Sequence, residues 1–212
     1  MVPRIIHQIV GKKPDNAIKR CLNSWKTLQK DGFKIIYWND VDIQRFIGQS
    51  YLSALKPLLT ARNHAEAADI ARYAIVHFYG GHYLDWDVQL INRKKFLELN
   101  EVNCEGYLVQ DQKNKTIASE AFSALPHEDY LSKVLENIIN IYLHGFRDSL
   151  QTPWYSGPFR MREVYYSCDK WKSQNLVPLK DVFLYDYDEI RVMPPRPPEV
   201  AMIHYWMHSW IK

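Results

Sequence analysis

Asn63-His64-Ala65-Glu66-Ala67-Ala68-Asp69-Ile70-Ala71-Arg72-Tyr73-Ala74-Ile75-Val76-His77-Phe78-Tyr79-Gly80-Gly81-His82-Tyr83-Leu84-Asp85-Trp86-Asp87-Val88 changes its pattern part-way along. Asn63 with Glu66 three residues on is a capping-box arrangement that starts a helix. Ala67, Ala68, Ile70, Ala71, Ala74, Ile75 and Phe78 then follow at helical spacing until Gly80-Gly81 stops the run. His82-Tyr83-Leu84 reads as a strand that delivers Asp85, Trp86 and Asp87 at its end. A helix passing directly into a strand through two glycines is the unit of an α/β protein.

Outward from that stretch the alternation continues. Residues 2–10 form a β-branched run after Pro3 and make a first strand. Asp15 or Asn16 can cap a helix reaching about Lys30, with Ile18, Cys21, Leu22 and Trp25 at helical spacing. Asp31-Gly32 turns into a second strand, 33–38, ending at Asn39-Asp40, and two short helices are expected around 41–47 and 51–58. Farther on, the pattern predicts strands at 106–109 and 116–122 and an amphipathic helix at 129–143. A loop is expected at 154–158, then a helix to about Cys168, a strand at 182–185 and a proline-rich turn at 194–198. The class is α/β with a mostly parallel sheet, and with no repeat or linker residues 1–212 form one domain.

Composition narrows the function. The 212 residues, 47% hydrophobic and 24% charged, suit an ordinary soluble globular protein. No window approaches the roughly 18 consecutive apolar residues of a membrane span, and the N-terminus reads directly as folded structure. Cys21, Cys104 and Cys168 include no CxxC pair, which argues against a disulfide framework or zinc knuckle and for a reducing compartment. The expected location is therefore the cytoplasm, with room for peripheral association at the inner face of the membrane. A formal charge of +3 is too small to imply a nucleic-acid partner. Seven Trp and 14 Tyr suit sugar and nucleoside sites as well as packing.

Asp85 and Asp87 flank one residue at a strand end, so alternation points both carboxylates to the same side. Two such anions repel unless a cation lies between them, and Mg²⁺ or Mn²⁺ meets that need while sharing its coordination with substrate phosphates. Alone, the D-x-D pattern is weak; after Gly-Gly-x-Tyr-Leu it is much stronger. Asp69 and Arg72 are three apart on the preceding helix and share a face. They make either a helix-surface ion pair, worth a few tenths of a kcal/mol, or a pair that grips sugar hydroxyls and pyrophosphate. His204 and His208 are four apart near the end of the sequence; His204 is a candidate metal ligand, and His208 reads as a structural donor or a surface residue. His7 reads as a satisfied buried histidine.

Ala68-Asp69-Ile70-Ala71-Arg72-Tyr73 followed by Tyr79-Gly80-Gly81-His82-Tyr83-Leu84-Asp85-Trp86-Asp87-Val88 resembles the signature of the DxD sugar-binding glycosyltransferases of family 32. That group includes yeast initiating α-mannosyltransferases, bacterial capsule and lipopolysaccharide transferases and the catalytic domains of clostridial glucosylating toxins. Val2-Pro3-Arg4-Ile5-Ile6-His7-Gln8-Ile9 is similar to the family's first strand, "IPKIIHQIW". Trp38-Asn39, Ser156-Gly157-Pro158, and Ile203-His204-Tyr205-Trp206 with Ser209-Trp210 resemble its "W-N", "TGP" and "IHHW…SW".

The resemblance implies a GT-A fold, a single Rossmann-like domain, and a metal-dependent retaining transfer from a nucleotide-sugar donor, UDP-linked, to a glycan or lipid-linked oligosaccharide acceptor. It implies Mn²⁺ or Mg²⁺ held by Asp87, with Asp85 facing the ribose or the metal and His204 as a further ligand. Ile9 and Trp38 would help form the base pocket with Asn39 nearby, Tyr83 would lie against the nucleoside, and Trp210 near the phosphate. Asp69 and Arg72 would hold the donor sugar. Asp69, Arg72, Asp85 and Asp87 are thus the expected catalytic group, with Trp86 at the donor. The implied setting is bacterial capsule, exopolysaccharide or lipopolysaccharide synthesis, or an effector that glycosylates protein. Val10 departs from the family's Trp, Ala68 from its Ser, Trp86 from its Thr or Ser, and Glu120 from its Asn. Glu120 reads as an acceptor-side or solvent-facing group, or as a carboxylate that stabilises positive charge at the β-face of the donor anomeric carbon. A metal-dependent phosphoesterase or hydrolase would need further acidic or His clusters at strand ends, which are scarce, and a dead sugar-binding scaffold would not need the intact four-residue set.

Overall fold

The computed structural model of this chain describes residues 1–167 and 173–207. Its elements are β1 (Ile5–Ile9), α1 (Asn16–Trp25), β2 (Lys34–Trp38), α2 (Asp40–Ser50), α3 (Leu52–Leu59), α4 (His64–Tyr79), β3 (Gly81–Leu84), β4 (Val88–Leu90), α5 (Arg93–Val102), β5 (Gly106–Asp111), β6 (Thr116–Ala124), α6 (Asp129–Leu143), α7 (Thr152–Tyr155), α8 (Pro158–Tyr166), β7 (Asn175–Pro178), α9 (Leu179–Val182) and β8 (Met202–His204).

The caps expected from the sequence are in place. The Asp15 carboxylate accepts from Ile18 N at 2.8 Å, and the Asn63 side chain accepts from Glu66 N at 2.9 Å. The apolar face of α1 ends at Trp25, where the chain tightens into a 3₁₀ turn, Lys26–Asp31, closed by Gly32. At the end of α4 both glycines are obligatory. Gly80 and Gly81 have φ of 63° and 97°, and a Cβ on Gly81 would lie 2.6 Å from the Ile5 carbonyl oxygen.

Six strands form one sheet in the order β2-β1-β3-β6-β5-β7. Every pairing is parallel except the two made by β6, which runs against β3 and β5. The sheet is therefore mostly parallel, as the sequence implies. Successive residues of β3 and β5 feed opposite cores. Tyr83 and Leu108 pack with α4, α6 and α8, whereas Leu84, Tyr107 and Val109 pack with Trp25, Phe96 and Val182. A second, two-stranded antiparallel sheet pairs β4 with β8 and sets Val88 opposite His204.

Several elements depart from expectation. The region 182–185 is not a strand: α9 ends at Val182, and Phe183 makes a single isolated bridge to Met202. Pro178, just before α9, leaves that chain fit only for a sheet edge, which β7 occupies. The expected loop at 154–158 is partly the helical turn α7. Cys21 and Cys104 are free thiols, and Cys168 lies outside the described residues. Among the described residues no helix is long and apolar enough to cross a membrane.

Candidate functional site

The site forms where parallel strands end, the place at which α/β sheets collect ligands. Asp85 follows β3 directly, and its backbone N donates to the Glu120 carbonyl of the antiparallel β6 at 2.9 Å. Val88, which opens β4, is clamped from behind by the Trp25 indole N–H, which donates to its carbonyl at 2.8 Å. The turn carrying Asp85, Trp86 and Asp87 is thus held at both ends. Trp86 is half-buried, and its ring edge would lie 3.0 Å from a Cβ on Gly11, just past β1.

Asp69 and Arg72 are not a surface pair. α4 is enclosed on nearly every side, and the two residues are 4% and 5% exposed. Arg72 Nη1 donates to the Ser119 carbonyl at 2.6 Å, Nη2 lies 3.2 Å from Asp85 Oδ1, and Nε lies 3.5 Å from Asp69 Oδ1. Its guanidinium also sits over the Tyr83 ring, 4.6 Å from the centroid. Tyr83 is buried, its ring stacked on Phe122, and its hydroxyl donates to Asp85 Oδ1 at 2.6 Å. Its visible work is to fix Asp85 and Arg72. One buried cation therefore ties together both acids at the sugar end of the site.

The electrostatics follow from burial. Burial pushes the Asp69 carboxyl up to about 6, against the opposing pull of Arg72 and of Ser156, whose hydroxyl donates to Asp69 Oδ2 at 2.8 Å. Asp85 is also raised by burial, with Arg72 opposing and Asp87 reinforcing the rise. His204 behaves in the opposite sense. Burial works against its imidazolium, but the carboxylates of Asp87 and Glu120 prevail and push it up to about 10. Its Nε2 lies 3.3 Å from Asp87 Oδ1. Burial disfavours the ionised form of Asp87 too, yet His204 and the backbone N–H of Met207, which donates to Oδ2 at 2.9 Å, hold it below the usual carboxylate value.

A divalent cation fits this group. One ligand atom each from Asp85, Asp87 and His204 lie within 4.8 Å of one another. Two carboxylates and an imidazole are donors that Mn²⁺ and Mg²⁺ accept. The surplus of negative charge that draws a proton onto His204 is the same surplus that a metal ion neutralises. A cleft of about 340 Å³ is lined by Arg20, Gln89, Arg191, Tyr205, Trp206 and Met207. Asp69, Arg72, Asp85, Asp87 and His204 do not line it, and Asp87 meets its wall through hydrogen bonds accepted from Tyr205 N and Met207 N.

The remaining sequence candidates are placed as follows. Ile9 and Trp38 end neighbouring strands in register. Trp38 is 8% exposed, and its indole N–H donates to His7 Nδ1 at 3.2 Å. Nδ1 accepts there, so Nε2 carries the proton and donates to the Gly80 carbonyl at 3.0 Å. His7 is therefore a satisfied neutral histidine, with burial pressing it down to about 4. Asn39 caps α2 through Val41 N and Asp42 N. His208 and Trp210 lie outside the described residues. Sequence reasoning assigned no role to Ser156, although Ser156-Gly157-Pro158 stood out as a motif. Gly157 follows it so closely that a Cβ there would lie 3.4 Å from Asp69 Oδ2.

The fold is a GT-A-like α/β scaffold, and it carries the DxD tripeptide at the end of β3. Residues 15–109 match the family described as the glycosyltransferase sugar-binding region containing a DXD motif. Among curated proteins the chain is similar to inositol phosphoceramide mannosyltransferase 1 of Schizosaccharomyces pombe, 25% identical over 149 residues, covering 65% of this chain and 43% of that protein. It is also similar to inositol phosphoceramide mannosyltransferase 2 of the same yeast, 24% identical over 201 residues, covering 92% of this chain and 53% of that protein. The chain thus spans about half the length of the curated relatives it matches. Its fold is shared with a solved glycosyltransferase involved in glycosylation of the major capsid of PBCV-1, at a TM-score of 0.54 and 16% identity, covering 95% of this chain and 94% of that one.

Proposed function

We propose that this chain catalyses metal-dependent, retaining transfer of a sugar from a nucleoside-diphosphate donor, UDP-linked, to a glycan or lipid-linked oligosaccharide acceptor. The observation that carries this reading is the convergence of Asp85, Asp87 and His204 beside the buried Asp69–Arg72 pair. Asp87, Asp85 and His204 would hold Mn²⁺ or Mg²⁺, and Asp69 and Arg72 would grip the donor sugar. Ile9, Asn39 and Trp86 would line the nucleoside side, with the buried Trp38 and Tyr83 as packing support rather than contact surface. Arg20 and Arg191 give the cleft beside Asp87 a cationic lining suited to a diphosphate. Held there, such an ion would supply Lewis-acid stabilisation of the departing diphosphate. Arg72 adds a fixed positive charge, and Asp69, bonded to Ser156, holds sugar hydroxyls in one orientation. Work in capsule, exopolysaccharide or lipopolysaccharide synthesis, in the cytoplasm at the inner membrane face, is the setting this chemistry suits. The names of the yeast relatives bring mannosyl donors and inositol-phosphoceramide acceptors into the test.

The test is a panel of UDP- and GDP-linked sugars with Mn²⁺ and glycoside acceptors, with the product anomer read by NMR. One donor is expected to give a product that keeps the donor's anomeric configuration. An inverted product would sink the retaining mechanism, and free sugar with no transfer to any acceptor would favour a hydrolase.

Asp69 also sets a pH dependence. Its folded-state pKa of about 6 lies above that of an unfolded Asp, so this group alone destabilises the fold as pH rises from about 4 towards 6. Its ionised form, which accepts from sugar hydroxyls, is lost as pH falls through about 6. The acid limb of kcat is expected near that pH, and Ser156→Ala should move it upward by removing a hydrogen bond to the carboxylate. A limb unmoved in Ser156→Ala would remove Asp69 from the pH profile.

A further inference from the structure

Resting on the metal reading above, we propose that Glu120 is a positioning residue that fixes the ring of His204 so that Nε2 faces the metal, forming a carboxylate–imidazole–cation relay. The two nitrogens of His204 have separate surroundings. Nε2 faces Asp87 Oδ1 at 3.3 Å, in the group with Asp85, whereas Nδ1 points to Glu120 Oε1 at 3.5 Å. Nδ1 is buried and has no hydrogen-bond partner among the described residues. A neutral imidazole that gives Nε2 to a metal must carry its proton on Nδ1, and that N–H needs an acceptor. Glu120 is the carboxylate placed to accept it.

Glu120 is well anchored for the task. It sits in β6, and its carbonyl takes the backbone N–H of Asp85, so the strand that offers the first acid also fixes the residue behind the imidazole. His204 arrives independently, from β8 through its register with Val88. Its ring therefore spans two elements, with one carboxylate at each nitrogen. Glu120 is not in the group of converging ligand atoms, so its action passes through His204. Removing such an outer partner lowers metal affinity by about 10–100-fold in comparable sites.

Mn²⁺ binding to the intact protein, measured by electron paramagnetic resonance without nucleotide, tests this. Glu120→Ala is expected to weaken binding by about 10–100-fold, and His204→Ala by at least as much. The double variant should bind no more weakly than His204→Ala alone, because Glu120 has nothing left to orient. Glu120→Gln keeps an oxygen that can accept from Nδ1–H and should fall between wild type and Glu120→Ala; its near-identical shape keeps the test alive if the alanine variant does not fold. Wild-type affinity in Glu120→Ala, or losses that multiply in the double variant, would overturn the proposal while leaving the metal site standing. A wild-type protein that binds no Mn²⁺ would remove the metal reading itself, and this proposal with it.

Discussion

Asp87→Ala is expected to abolish transfer, lowering kcat/KM by about 10³-fold or more, while the protein remains folded. The magnitude follows from removing a Lewis acid worth several kcal/mol in the transition state, at about 1.4 kcal/mol per tenfold in rate. Structurally the loss is modest, since the Asp87 side chain carries one backbone hydrogen bond, from Met207, and the contact with His204. A second readout comes from His204, whose imidazolium is held up to about 10 by Asp87 and Glu120. With Asp87 gone its pKa should fall, which NMR titration of the imidazole would show. Full turnover by this variant with added Mn²⁺ would remove Asp87 from the metal site.

Arg72→Ala should damage fold and activity together. Its guanidinium is 5% exposed and lies against Asp69 and Asp85 while donating to the Ser119 carbonyl. Removing it leaves the buried Asp69 and the partly exposed Asp85 without their cation, and breaking a buried pair in this way typically costs about 3–5 kcal/mol. Both carboxyls would be driven further up and towards their neutral forms. Arg72→Lys keeps the charge but cannot address Asp69, Asp85 and Ser119 at once, so it should restore stability only in part and transfer hardly at all. Thermal melts and kinetics read this directly. Unchanged values in Arg72→Ala would mean that the pair carries neither function nor fold.

The path from Asn63 to Val88 was legible because every local signal agreed: a capping Asn, helical spacing, two glycines with positive φ, then a strand. The buried state of Asp69 and Arg72 was not legible, because three-residue spacing describes exposed and enclosed pairs alike. Only the packing of α4 under β6 and the 156–158 turn settles it. β4 and β8, at three residues each, are too short to show a period, so the pairing that sets His204 opposite Val88 left no mark in the sequence. α5 was likewise missed, because Phe96 is its single buried residue and no apolar stripe forms. Ser156 and Glu120 stood within or near recognisable motifs, but their partners, Asp69 and His204, are joined to them only by the fold. The Trp38 indole, expected at a nucleotide base, is hydrogen-bonded to His7, a contact that depends on the register of β1 with β2.

The most direct measurement is nucleoside diphosphate release from a panel of nucleotide sugars by the wild-type protein, with Mn²⁺ and again with EDTA. At least one donor should be turned over in Mn²⁺, with release lost in EDTA and restored when the metal is returned. Release that persists in EDTA, or no release from any donor, would contradict a metal-assisted transferase centred on Asp85, Asp87 and His204.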